Sequence, residues 1–167
     1  MDQWLLSRLQ TLKTNIQTEM EAYRLFNVVP ALFDFIEDLT NWYIRLNRSR
    51  FWHEGLTEDK THAFETLHTA VFDFTVCMAP FAPFLAETLY QAMPKTEQAP
   101  LSVHLCTYPE PDSDRINPLL ETAVTRMQHV ILLGRQKRNQ DKVKIKYPIK
   151  VLKVLHRAVG LLLVSLV

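Results

Sequence analysis

Arg45, Arg48 and Arg50 fall close together in Asn41-Trp42-Tyr43-Ile44-Arg45-Leu46-Asn47-Arg48-Ser49-Arg50-Phe51-Trp52, a stretch without an acidic residue. A guanidinium is planar and carries a fixed fork of N–H donors, so it grips phosphate through paired hydrogen bonds and stacks on flat rings. Aromatic side chains offer nucleobases a matching face. The competing account is structural: Trp42 and Tyr43 belong to a core, and the arginines offset the negative end of their own helix. For the aromatics the structural account is the stronger. For the arginines, three cations exceed what one helix end requires, so Asn41, Arg45, Arg48, Arg50 and Trp52 form a first candidate RNA contact.

A second basic run reads Arg135-Gln136-Lys137-Arg138-Asn139-Gln140-Asp141-Lys142-Val143-Lys144-Ile145-Lys146. Strict alternation in its second half predicts a strand with Lys142, Lys144 and Lys146 on one face, a row able to follow a phosphate backbone. Lysines also protect a strand edge from unwanted pairing, which accounts for Lys144 and Lys146 without RNA. Edge protection does not account for Arg135, Lys137 and Arg138.

Intrinsic catalysis finds little support. Gly55, Gly134 and Gly160 are too dispersed for a phosphate-binding loop. The six histidines are scattered, and neither a nucleophile elbow nor a metalloprotease signature occurs. Asp34, Glu37 and Asp38 alternate with Phe33, Phe35 and Ile36 as the solvated face of an amphipathic helix would. Cys77 and Cys106 stand apart in apolar surroundings, which disfavours a disulfide framework or a zinc site and points to a reducing, cytoplasmic setting. No secretory signal pattern opens the chain, and the apolar run 158–167 is too short to span a bilayer, so it reads as a strand or a cut end.

The elements that position these residues are mostly helical. Apolar residues make up 47% of the 167 residues, enough for a real core. Leu5, Leu9, Leu12, Ile16, Met20 and Tyr23 recur at helical steps, with Gln10, Lys13, Gln17 and Glu21 on the other face. A second helix is expected from about Asn27 to Asn47, with Pro30 in its first turn and Leu32, Phe35, Ile36, Leu39, Tyr43 and Leu46 as its stripe. A third starts after Thr57 and is interrupted by Pro80 and Pro83, and 84–93 resumes the period. The segment 94–118 is loose, with one run at 102–105 that could be extended. Asn117-Pro118 opens the last long helix, expected to end between Gly134 and Asn139. Two short strands joined at Pro148 follow. The expectation is a mainly α helical bundle over 1–138 and the start of a small, truncated element with two short strands over 139–167.

The net charge of +1 hides an asymmetry. Residues 1–130 carry ten basic and seventeen acidic side chains, net −7, whereas 131–157 carry nine basic residues and one acidic, net +8. The acidic surface is the part least suited to RNA.

The sequence resembles the anticodon-binding domain of isoleucyl-tRNA synthetase, a class I aminoacyl-tRNA synthetase, and particularly its eukaryotic cytosolic branch. The resemblance rests on Trp4-Leu5-Leu6-Ser7-Arg8, Tyr23-Arg24-Leu25-Phe26-Asn27-Val28-Val29-Pro30, Leu39-Thr40-Asn41-Trp42-Tyr43-Ile44-Arg45 and Met78-Ala79-Pro80-Phe81-Ala82-Pro83-Phe84-Leu85. It continues through Ser102-Val103-His104, Leu133-Gly134-Arg135 and Lys144-Ile145-Lys146-Tyr147-Pro148-Ile149-Lys150. Looser forms of two of these occur in the valyl and leucyl enzymes, and the Lys-Tyr-Pro stretch favours isoleucine.

The resemblance implies a helical bundle that holds the anticodon arm of tRNA(Ile) and leans on the catalytic domain of the same enzyme. It implies Arg45, Arg48 and Arg50 as RNA contacts, with Lys137, Arg138, Lys142, Lys144 and Lys146 as further candidates. The family's catalytic signatures are absent, so the chain looks like an excised domain that is not expected to aminoacylate alone. ATP and Mg would serve the full-length enzyme, with no cofactor in this chain and no membrane partner. The segment 158–167 departs from the family pattern. A purely structural or protein-interacting bundle is the alternative from another class.

Overall fold

A computed structural model describes residues 1–144, 146–148, 151–156 and 160–165. Two compact units divide the chain, Met1–Asn117 and Pro118–Val167. The division falls at the start of the last helix, whereas the sequence places it after Arg138.

In the first unit, α1 (Asp2–Glu21) packs against both α2 (Leu25–Glu37) and α4 (Glu58–Met78). Between them α2 runs on through a π-helical segment, Asp38–Ile44, and a break at Asn47 into the short α3 (Arg48–Trp52). α5 (Pro83–Ala92) and single 3₁₀ turns at Val103–Leu105 and Ser113–Arg115 complete the unit. Trp4, Leu5, Leu9, Leu12 and Ile16 of α1 meet Val28, Leu32 and Phe35 of α2 and Ala70 and Phe74 of α4 in the core. Phe35 and Phe74 stack at 5.5 Å between ring centroids. Thr57 caps α4 by accepting from the Lys60 N–H at 3.2 Å, as its sequence position predicts.

Several expectations need correction. Pro30 is the sixth residue of its helix, not part of the first turn, because α2 opens earlier, at Leu25. Residues 102–105 are not extended: the Ser102 hydroxyl accepts from the His104 N–H and starts a 3₁₀ turn. Gln10 and Lys13, expected in solvent, are buried. With Ser7 they line the face of α1 that receives the returning segment 108–117. That segment has almost no ladder of its own, so its backbone groups need side-chain partners. Lys13 Nζ donates to the Glu110 carbonyl at 3.0 Å and to Asp73 Oδ2 at 3.1 Å. Gln10 Oε1 accepts from the Asp112 N–H at 2.9 Å, Ser7 Oγ from the Asn117 N–H at 2.8 Å, and the Tyr108 hydroxyl donates to the Lys13 carbonyl at 2.9 Å. Tyr23, finally, is not core. It is 91% exposed with φ 56° beyond the end of α1, where the Arg24 N–H reaches back to Glu19 and the Tyr23 N–H to Met20.

The second unit holds α6 (Pro118–Gln140), with Pro118 at its first position, and an antiparallel pair, β1 (Val151–His156) and β2 (Gly160–Ser165). The register pairs Val151 with Ser165 and His156 with Gly160. A strand at 160–165 agrees with the reading of the apolar run, and β1 matches the second expected strand over its described part. Gly134 lies inside α6 and does not end it.

Candidate nucleic-acid interface

Asn41, Arg45, Arg48 and Trp52 follow one another at steps of four, three and four residues along the α2–π–α3 path, and all four are exposed. Within α3 the four-residue step puts Arg48 and Trp52 on one side. Asn41 Nδ2 donates to Glu37 Oε2 at 2.6 Å. Arg48 lies over the Trp52 ring, its guanidinium carbon 5.7 Å from the centroid. Among the described residues neither Arg45 nor Arg48 is paired with a carboxylate. Trp42 and Tyr43, by contrast, are buried, as the structural account of them requires.

The structure places Arg50 differently from its neighbours. Its two terminal nitrogens donate to the two oxygens of Asp2 at 2.7 and 2.9 Å. Nε and one terminal nitrogen also donate to Asp59 at 2.8 and 2.7 Å, and Asn47 Oδ1 accepts a further bond at 3.1 Å. These bonds join the first turns of α1 and α4 to α3. Arg50 above all, helped by the Tyr43 hydroxyl, holds the Asp2 carboxyl below its ordinary value, and burial followed by Asp2 pushes the Tyr43 phenol up. Phe51, next in sequence, packs edge-on against Tyr43 at 6.2 Å and Phe64 at 5.2 Å. Asp38 is not purely solvated either: it accepts from Arg8 at 2.9 Å, tying α1 to the π segment.

In the second unit the expected strand over 142–147 is absent among its described residues, and Ile145 lies outside them. Lys142 adopts φ 55°, and the Val143 N–H returns to the Arg138 carbonyl at 2.9 Å while the Lys142 N–H returns to Asn139 at 3.2 Å. These two bonds are the paired closure of a helix end. Arg138 also donates to the carbonyls of Lys144 and Tyr147 at 3.1 and 2.9 Å, folding the segment into turns. The alternation of lysines is therefore spent on a cap and not on one strand face. Lys137 pairs with Asp141 at 2.9 Å, and Lys146 lies 5.7 Å from the centre of the Tyr147 ring. Arg135, Gln136, Arg138, Asn139, Val143 and Lys144 line a cleft of about 710 Å³. The periodicity gave no sign of this cleft because it depends on the left-handed turn at Lys142.

No group of three or more His, Cys, Asp or Glu side chains capable of holding a metal occurs among the described residues. No helix among them is long and apolar enough to cross a membrane.

The geometry defines a class: a helical domain that turns a basic and aromatic helix face outward. Residues 2–153 match the family described as the anticodon-binding domain of tRNA ligase, and the chain belongs to that family. It is 47% identical over 163 residues to an isoleucine–tRNA ligase of Bdellovibrio bacteriovorus, covering 97% of this chain and 15% of that protein. Cytoplasmic isoleucine–tRNA ligases of Saccharomyces cerevisiae and Mus musculus are each 42% identical to it, covering 93% of the chain and 15% and 13% of their own lengths. The chain thus spans about one seventh of the relatives it matches.

Proposed function

We propose that this chain holds the anticodon arm of tRNA(Ile) so that the acceptor end reaches an active site elsewhere in a longer, cytoplasmic isoleucine–tRNA ligase. The observation that carries the reading is the exposed file of Asn41, Arg45, Arg48 and Trp52 on a family member whose named relatives are isoleucine–tRNA ligases. Arg45 and Arg48 supply phosphate contacts that position the RNA, and the basic cleft at the end of α6 supplies others. The chain itself binds and orients. Aminoacylation, with its ATP and Mg, belongs to parts of the longer protein that carry the catalytic signatures.

The catalytic domain is the second partner. Phe26, Val29 and Phe33 lie at helical steps on α2 and are exposed, with Leu25 beside them. Such an apolar face suits a contact with the rest of the polypeptide. The deciding experiment for RNA is titration of tRNA(Ile) against the chain at several salt concentrations. Affinity falling linearly with salt on logarithmic axes supports the reading, and no binding at low salt overturns it. Comparison with tRNAs differing only in the anticodon separates tRNA(Ile) recognition from general phosphate binding.

A further inference from the structure

α4 carries two parallel rows on one side. Phe64, His68 and Phe72 recur at four-residue steps, and Glu65, Thr69 and Asp73 run beside them, one position further on. Both rows, together with residues of the segment 94–99, line a cleft of about 730 Å³. The two walls are tied together. His68 Nε2 donates to the Pro94 carbonyl at 3.1 Å, the Tyr90 hydroxyl to the Pro100 carbonyl at 2.7 Å, and the Ala99 N–H closes a turn onto Thr96 at 3.0 Å. His68 stacks on Phe72 at 6.0 Å between ring centroids, and Phe72 meets Tyr90 at 5.7 Å. The cleft is thus ordered before anything enters it, and its size and largely apolar lining are those of a small-molecule site.

Most of the charge around it is engaged. Lys95 donates to the Tyr90 carbonyl and to Gln91 Oε1, both at 2.9 Å, with its ammonium 4.4 Å from the centre of the Tyr90 ring. Asp73 accepts from Lys13, and His68 is spent on Pro94. Glu65 is exposed and, among the described residues, meets neither a cation nor a hydrogen-bond donor. A ligand lying in the cleft strips water from that carboxylate. A neutral ligand leaves the charge unpaired, which costs free energy, and an anion adds repulsion. A cation pairs with Glu65 and gains from the faces of the neighbouring rings as well.

We propose that this cleft binds a small aromatic amine, with its rings against Phe64 and Phe72 and its ammonium at Glu65. The site shares no residue with the candidate RNA interface, so the inference goes beyond the proposed function and stands independently of it.

Three ligands with one two-ring body test this: benzhydrylamine, its alcohol benzhydrol, and diphenylacetate. Amide shifts of the isotopically labelled chain report affinity and location together. The amine is expected to bind about fivefold or more tightly than the other two, with its largest shifts at Thr69, Phe72, Lys95 and Thr96. Glu65→Gln is expected to bring the amine down to the affinity of the alcohol. Thr69→Trp, which fills the cleft, is expected to weaken both by about tenfold. Glu65 and Thr69 are exposed, so both variants should keep the wild-type thermal midpoint. Equal affinity for amine and alcohol, or a preference for the amine that survives Glu65→Gln, overturns the proposal. Tighter binding of diphenylacetate gives the cleft to anions and also overturns it. Shifts that lie outside the cleft, or none with any ligand at millimolar concentration, show that the cleft is not a small-molecule site. All these outcomes leave the tRNA titration unaffected.

Discussion

Arg50 and Asp2, 48 residues apart in sequence, meet through two parallel hydrogen bonds of 2.7 and 2.9 Å. An arginine in a basic, aromatic run is thereby a brace between α1 and α3, and its Asp59 bonds extend the brace to α4. Arg50→Ala is expected to cost about 2 kcal/mol, since hydrogen bonds to charged groups are worth more than neutral ones and Asp2 keeps only Tyr43 as a side-chain donor. Thermal denaturation of Arg50→Ala beside Arg45→Ala and Arg48→Ala checks this: the first midpoint drops and the other two stay near wild type.

The same pair sets an acid limit. The Asp2 carboxyl lies below its ordinary value of 3.8 in the folded chain, with Arg50 as the largest cause. A depressed carboxylate stabilises the fold above its unfolded value, and that stabilisation disappears as pH falls through the folded value. Unfolding midpoints are expected to decline as the pH drops below about 4. In Arg50→Ala the decline over that window is shallower, because Asp2 then protonates more nearly alike in both states.

Arg45 and Arg48 carry no comparable structural duty. Replacing either by Ala is expected to weaken tRNA binding at low salt and to reduce the slope of log affinity against log salt by about one for each phosphate no longer neutralised. Salt-dependent filter binding measures both quantities.

Lys13 and Asp73 form a pair in which the lysine side chain is only 5% exposed. Lys13→Met leaves Asp73 without its cation and the Glu110 carbonyl without its donor, so a loss of about 3 kcal/mol is expected in a denaturant titration. Lys13→Met with Asp73→Leu should recover part of that loss, because the stranded charge is gone.

Burial, more than any other influence, pushes the Cys77 thiol up to about 12. The thiolate is the reactive form, so Cys77 is expected to resist alkylation at neutral pH in the native chain and to react once the chain is denatured. Mass spectrometry after iodoacetamide treatment distinguishes the two cysteines. On the same grounds stability falls as pH rises from the ordinary value of 9.0 towards 12, since the unfolded thiol ionises first.

The helices were readable because their apolar steps and start signals are local: Thr57 caps α4, and Pro118 stands at the first position of α6. The buried polar row of Ser7, Gln10 and Lys13 was not readable, because polar residues on a helix face look solvated until a distant segment needs their hydrogen bonds. Lys142 misled for a related reason. A period of two over six residues is a strand signal only if the chain is free to extend, and the Arg138 guanidinium had already claimed the carbonyls of Lys144 and Tyr147. At the candidate interface, residue type alone did not separate outward Arg45 and Arg48 from inward Arg50. That distinction depends on Asp2 and Asp59, which come from two other helices.

The bonds from Ser7, Gln10 and Lys13 to the segment 108–117 span about a hundred residues of chain. Pairings of such separation carry a large loop-closure entropy and slow the search for the native state. On the ribosome the consequence is an order of events. α1 is made before the segment it holds, and its polar face is not fully paired until Asn117 has left the exit tunnel, so the bundle is complete only after α2, α4 and α5 have already been synthesised. A nascent chain arrested before Glu110 would hold Lys13 and Asp73 half satisfied, whereas one extended past Asn117 can lock the whole unit in a single late step.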